Sequence, residues 1–129
     1  RYPWSGSYPP TTPVGNFADA RISDTFADVV PGYDDGYRAS APVGSFAASP
    51  FGLHDLSGNA REWVKDCYAS SYEGAPVDGS AVDAPQCKQR VIRGGSYSSP
   101  STKLRVTTRD QGEPDMRLDD LGFRVAREY

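Results

Sequence analysis

Hydrophobic and polar positions along the chain fall into two regimes that meet near residue 60. In the first, Pro3, Pro9, Pro10 and Pro13 interrupt any regular element, and Pro31-Gly32, Asp35-Gly36 and Pro50 mark turns. Residues 1–50 therefore read as loops, with one short helix expected over 18–25 or 25–30. In the second, Trp63, Val64, Cys67 and Tyr68 suit a half-buried strand, a helical turn being the alternative for so short a run. A long loop over 69–88 precedes a strand centred on Val91 and Ile92, which breaks at Gly94-Gly95 where the backbone bulges or passes close to another segment. Alternation at 104–108 predicts another strand, 110–120 a polar loop, and 123–127 a last alternating strand. Few helices and short strands tied by ordered loops make an irregular α+β domain.

Composition agrees. The 129 residues suffice for one domain with its own core. Thirteen Gly and eleven Pro make up about a fifth of the chain, well above the usual share of roughly an eighth, so turns dominate. Aromatic residues reach 12 %, eight of them Tyr, which favours strands and loop-packed cores. A formal charge of −3 argues against nucleic acid as a partner. Arg90, Arg93, Lys103, Arg105 and Arg109 alternate with apolar residues and read as a solvated face. No apolar run approaches the roughly 18 residues of a membrane span, and no signal peptide is visible.

Cys67 and Cys87 are the only cysteines, and a single histidine, His54, makes a zinc site a poor fit. Buried free thiols or a disulfide remain; the flexible Gly-, Pro- and Ser-rich excursion between them favours the bridge. A bridge would imply an oxidising compartment, periplasmic or extracellular.

The segment from Gly52 to Tyr68 carries the most chemistry. Asp55 and Glu62 bracket a turn-forming Ser57-Gly58-Asn59, an arrangement able to aim carboxylates and backbone carbonyls at a hard cation. This segment, with Ala41-Pro42-Val43-Gly44-Ser45-Phe46, Arg93-Gly94-Gly95-Ser96-Tyr97 and Leu121-Gly122-Phe123-Arg124, resembles the C-terminal half of the formylglycine-generating enzyme (sulfatase-modifying factor) family. The resemblance runs from Tyr2-Pro3-Trp4 to Arg127 and implies a loop-rich variant of the C-type lectin fold holding calcium.

Position by position, the resemblance implies one structural Ca²⁺ on the side chains of Asp55 and Glu62 and the carbonyls of Gly58 and Ala60. A second would use Asn16 and Asp35 with the carbonyls of Phe17 and Tyr37. Family oxidases bind copper through a cysteine pair that follows the Gly-Gly-Ser-aromatic motif. Here the sequence after Tyr97 reads Ser98-Ser99-Pro100-Ser101-Thr102-Lys103-Leu104, so no copper is expected. The fold's iron-dependent sulfoxide synthases need three histidines, which His54 alone cannot supply. No Gly-x-Ser-x-Gly elbow surrounds Ser96.

The resulting expectation is a non-catalytic, calcium-stabilised binding or scaffold domain outside the cytoplasm, an accessory subunit of a larger complex. Two alternatives are an enzyme or maturation factor with altered chemistry, and a lectin-like module taking carbohydrate. The expected recognition face is 96–109 with the 110–120 loop, with Tyr97, Arg105 and Arg109 as its leading residues. Family domains carry an N-terminal half ahead of the Tyr-Pro-Trp point, so a further segment or a protein partner is expected to complete the fold.

Overall fold

Two adjacent β-branched residues, Val91 and Ile92, are buried on both faces of a strand, and the sheet is built outward from them. The computed structural model describes residues 1–4 and 6–127. Its strands are β1 (Arg61–Cys67), β2 (Arg90–Arg93), β3 (Asp110–Gly112) and β4 (Leu121–Gly122), in the order β3-β2-β1-β4. β1 and β2 pair antiparallel with Trp63 opposite Ile92, and the register shifts before Cys67 meets Arg90. β3 pairs antiparallel with β2, whereas β4 runs parallel to β1 with Leu121 opposite Arg61. The described remainder is loop and turn, apart from two 3-10 turns at Ala20–Ile22 and Ser101–Lys103. The domain is thus mostly loop, with few strands and little helix.

Four sequence expectations change. The helix near 18–30 shrinks to Ala20–Ile22, begun by the Asp19 side chain accepting from the Arg21 amide. The alternating run 104–108 is not a strand: Lys103, Leu104 and Thr108 amides close successive turns onto Pro100, Ser101 and Arg105. Leu104 points into the core, while Val106 is 45 % exposed. The third strand falls instead at Asp110–Gly112, inside the expected polar loop. A Cβ on Gly112 would lie 2.7 Å from the Trp63 ring, so the ladder is made where the side chain is missing. Lastly, 123–127 lies beyond the two-residue β4 and does not extend it.

Most of the core comes from the proline-rich first half. Phe17, Val30, Tyr33 and Leu104 are buried together, with Tyr2, Trp4 and Val14 packed against them. Ring contacts run Tyr8–Tyr2–Trp4–Phe17–Tyr33, with centroids 5.0, 4.7, 5.3 and 5.4 Å apart. Burying such a ring stabilises by about 1.5–3 kcal/mol, which loops without strand ladders need. The Tyr33 hydroxyl ties the ladder to the backbone, accepting from Val14 and Gly15 amides and donating to the Gly15 carbonyl at 2.6 Å.

Cys67 and Cys87 are joined, closing the long loop at the end of β1. In the chain-entropy model a loop of this length stabilises by roughly 3 kcal/mol. The loop also folds back on the strand, since the Cys67 amide donates to Val82 and the Val82 amide to Asp66.

The tightest approach lies where the first-half loop crosses the segment before β1. Gly58 has φ +80°, and a Cβ there would sit 2.1 Å from the Asn16 carbonyl oxygen. Gly32 has φ +66° but open space around it. Gly58→Ala is expected to lose more than about 3 kcal/mol in urea unfolding, against roughly 1–2 kcal/mol for Gly32→Ala. Equal losses would show that the crossing is not tightly packed.

Candidate functional site

Asn16 and Phe17 meet the 33–37 turn in the buried first half. The Asp35 carboxylate accepts from the Phe17 amide at 2.8 Å through Oδ2 and from the Tyr37 amide at 2.9 Å through Oδ1. Asp19, fully buried, accepts from the Asp35 amide at 2.7 Å. Asn16, 1 % exposed, donates through Nδ2 to the Ala39 carbonyl and to Asn59 Oδ1. Its own Oδ1 is buried with no hydrogen-bond partner. Burial pushes the Asp35 carboxyl up to about 6, with Asp19 and Asp34 acting in the same direction against the two amides. The four residues Asn16, Phe17, Asp35 and Tyr37 are therefore brought together. They leave an orphan amide oxygen and a carboxylate whose charge is disfavoured, which is what an oxygen-ligated cation would relieve.

Asp55 and Glu62 present a different picture. Asp55 adopts a positive φ of 55°; its Oδ2 accepts from the Gly44 amide at 2.8 Å, and its Oδ1 is buried without a partner. Glu62 instead faces Arg124, whose guanidinium donates to both carboxylate oxygens and to the carbonyls of His54 and Asp55. That ion pair raises the Arg124 pKa, so at neutral pH a cation at Glu62 meets a resident positive charge. Of the two ligand sets, the Asn16–Asp35 set fits a cation better. Among the described residues no three His, Cys, Asp or Glu side chains gather at one point, so a cation would lean on amide and backbone oxygens.

Asn59 joins the two loops. With φ 64°, it donates its amide to the Asn16 carbonyl at 2.8 Å and accepts at its carbonyl from the Tyr97 amide. Its side chain accepts from the Ala41 amide at 2.7 Å and donates to the Ala41 carbonyl. Three separate segments thus converge on one residue.

The loop after Gly94-Gly95 forms a third feature. Ser96, fully buried, donates its hydroxyl to Asp120 Oδ2 at 2.7 Å; Ser98 and Ser99 hydroxyls lie within 3.3 Å of it. Arg61 closes the other side of Asp120, 2.6 Å from Oδ1. Burial pulls the Asp120 carboxyl upward, but Arg61 and Ser96 together outweigh it and hold it below its ordinary value. Beside this pocket opens a cleft of about 580 Å³, lined by Arg61, Ser98, Ser99, Lys103, Arg109 and Asp120 among others. Neither Arg61 nor Asp120 stood out in the sequence, because 59 residues separate them.

Of the expected recognition residues, Arg109 lines this cleft and Tyr97 and Arg105 do not. The Arg109 guanidinium sits 4.0 Å from the Tyr72 ring centroid and 5.4 Å from that of Tyr68, at the cleft wall. Tyr97 reaches Asp119 at 3.4 Å and Arg105 is exposed; neither lines the cleft. His54, the chain's one histidine, places Nδ1 2.8 Å from the Phe46 carbonyl, so Ser96 has a carboxylate but no imidazole.

All of residues 1–129 match the family described as Sulfatase-modifying factor enzyme 1-like domain, and the chain belongs to that family. It is 32 % identical over 132 residues to the formylglycine-generating enzyme of Thermomonospora curvata, covering 98 % of this chain and 42 % of that one. It is 37 % identical over 99 residues to the inactive C-alpha-formylglycine-generating enzyme 2 of Bos taurus, covering 72 % and 28 %. Among solved structures it is similar to PvdO from Pseudomonas aeruginosa, with TM-score 0.72 and 34 % identity over 94 % of this chain and 42 % of PvdO. The chain spans roughly a quarter to two fifths of the length of these relatives.

The raised Asp35 carboxyl makes a pH prediction. Because its folded value lies near 6, above the ordinary 3.8, the metal-free fold binds the proton more tightly than the unfolded chain. Stability is then greatest below about pH 4 on this account and falls as pH rises to about 6, by on the order of 2–3 kcal/mol. Asp35→Asn should flatten that slope in urea titrations without calcium, and an unchanged slope would mean that Asp35 is not its source.

Proposed function

We propose that this domain is a non-catalytic, calcium-stabilised binding or scaffold module acting outside the cytoplasm. The carrying observation is the fate of its sulfur: the chain has two cysteines, and they are bonded to each other at the end of β1. The loop after Gly94-Gly95 offers hydroxyls around a carboxylate instead of thiols. A thiolate binds copper strongly and a neutral serine does not, so the cysteine-dependent oxidation expected of the family's active members has no donor in this segment. The similarity to a relative named inactive supports the same reading. The bridge and the family relatives suit an oxidising, non-cytoplasmic setting.

Calcium belongs first to the Asn16–Asp35 set. Asn16 Oδ1, an Asp35 carboxylate oxygen and the carbonyls of Phe17 and Tyr37 would hold it, and the ion would supply charge neutralisation and loop cross-linking. The Asp55–Glu62 set, with Gly58 and Ala60, takes an ion only if Arg124 yields Glu62. In this reading the lectin-like, loop-rich architecture depends on such ties, and a further polypeptide completes the domain. The cleft beside Arg109 is the place for a ligand, protein or carbohydrate. An altered-chemistry enzyme is the second reading, favoured by that open cleft next to the Ser96–Asp120 pocket.

Three measurements test the proposal. Calcium at about a hundred times its dissociation constant should stabilise by roughly 2.7 kcal/mol in thermal unfolding, and Asp35→Asn should abolish the gain. Copper-loaded protein should consume no oxygen with a cysteine-containing peptide. Oxygen uptake would establish the enzymatic reading instead, and a missing calcium effect would remove the metal. Replacing Tyr97, Arg105 and Arg109 with Ala should weaken capture of the ligand; unchanged capture would move the recognition face elsewhere.

A further inference from the structure

We propose that the cleft beside Arg109 takes a ligand bearing a single carboxylate on an apolar body, and that Arg109 holds the carboxylate. This rests on the reading above that the cleft is where a ligand binds, and it names the chemistry the cleft selects.

Three cations and two carboxylates line the cleft, and four of these five groups are matched to one another. Arg61 pairs with Asp120 at 2.6 Å, and Lys103 with Asp110 at 2.6 Å. Arg109 is the remainder. Among the described residues its guanidinium has no carboxylate partner and no hydrogen bond, only the rings of Tyr68 and Tyr72. A planar guanidinium lying over aromatic rings keeps its N–H edge free, and that edge matches the two oxygens of a carboxylate. The surplus in the cleft is one positive charge, so one negative charge neutralises it and a second would meet Asp110 and Asp120.

The remaining lining sets the body of the ligand. Ile92 contributes a buried apolar side chain, while Met116 and Leu118 are left 37 % and 44 % exposed at the same cleft. Covering such side chains removes apolar surface from water and favours an aryl or alkyl group next to the anchored charge. The volume of about 580 Å³ lies within the roughly 300–1,000 Å³ usual for sites of this kind.

The anchor is set before any ligand arrives. Tyr68 directly follows β1, and Tyr72 belongs to the excursion that the Cys67–Cys87 bridge closes. The half-buried Arg109 is thus held by two stretches of chain, which lowers the ordering cost of binding. Arg105 and Arg117 are exposed cations as well, yet neither lines the cleft or lies over a ring. Two sources supply the required chemistry, a free organic acid and the apolar C-terminal residue of a polypeptide.

The test measures binding to the full chain by calorimetry and by the NMR signals of Arg109 Nε–H and the Met116 methyl. The probes are 3-phenylpropanoate, its amide, phenylphosphonate, and a tetrapeptide ending in phenylalanine with a free or an amidated end. Each acid should bind at least roughly tenfold tighter than its amide and shift both signals. Arg109→Gln should remove that preference. Lys88→Gln, which deletes an equal charge at an exposed position outside the cleft, should leave it unchanged. Should Arg109→Gln fail to fold, the acid-to-amide ratio and the Arg109 Nε–H shift in the unaltered protein decide. The tighter of 3-phenylpropanoate and the free tetrapeptide identifies the source, and either result supports the assignment. An acid preference that survives in Arg109→Gln would overturn it, as would tighter binding of phenylphosphonate than of 3-phenylpropanoate. If amides bind as well as acids and still shift Met116, the cleft remains a ligand site and only the carboxylate assignment fails. If no probe shifts either signal, the assignment falls together with the reading it rests on.

Discussion

Everything in this fold hangs on a contact between two asparagines. Asn59 holds the Asn16 loop, the Ala41 strap and the Tyr97 turn through backbone and side chain together. Loops that lack strand ladders must satisfy their amides some other way when buried. One left-handed residue with a bifunctional amide does this for three segments at once. The crossing works only because Gly58, its neighbour, has no Cβ to strike the Asn16 carbonyl. The aromatic ladder above it then buries the area that makes the crossing stable.

The sequence disclosed this unevenly. The β-branched pair Val91-Ile92 and the aromatic run from Trp63 declared their strands, because local pattern and tertiary context agree there. The run 104–108 misled, since Leu104 is claimed by the aromatic core and its neighbours turn instead of pairing. Asp110–Gly112 gave no strand signal, as its pairing depends on room for Trp63, a fact of packing and not of propensity.

The candidate site was legible where residues are close in sequence and obscure where they are not. Asn16 with its neighbour Phe17, and Asp35 with Tyr37 two residues on, stand out because the family resemblance implies ligands at those positions. The Arg61–Asp120–Ser96 pocket joins three regions far apart in the chain, and nothing in any one of them announces it. Arg124 is a similar omission: a basic residue in a strand-like run proves to be the counter-charge of Glu62.

The bridge between Cys67 and Cys87 divides the chain in a further sense. It fastens both ends of the excursion at the rim of the sheet, and Val82 and Asp83 add ties to β1 and β2, so that the stretch from 69 to 81 is left with less of the duty of holding the two strands together. Such a segment can drift in length and chemistry while its base stays fixed. In this molecule Tyr72 already reaches from that segment to Arg109. A change acquired in that segment is thereby delivered to the wall of the cleft that Arg109 and Asp120 line.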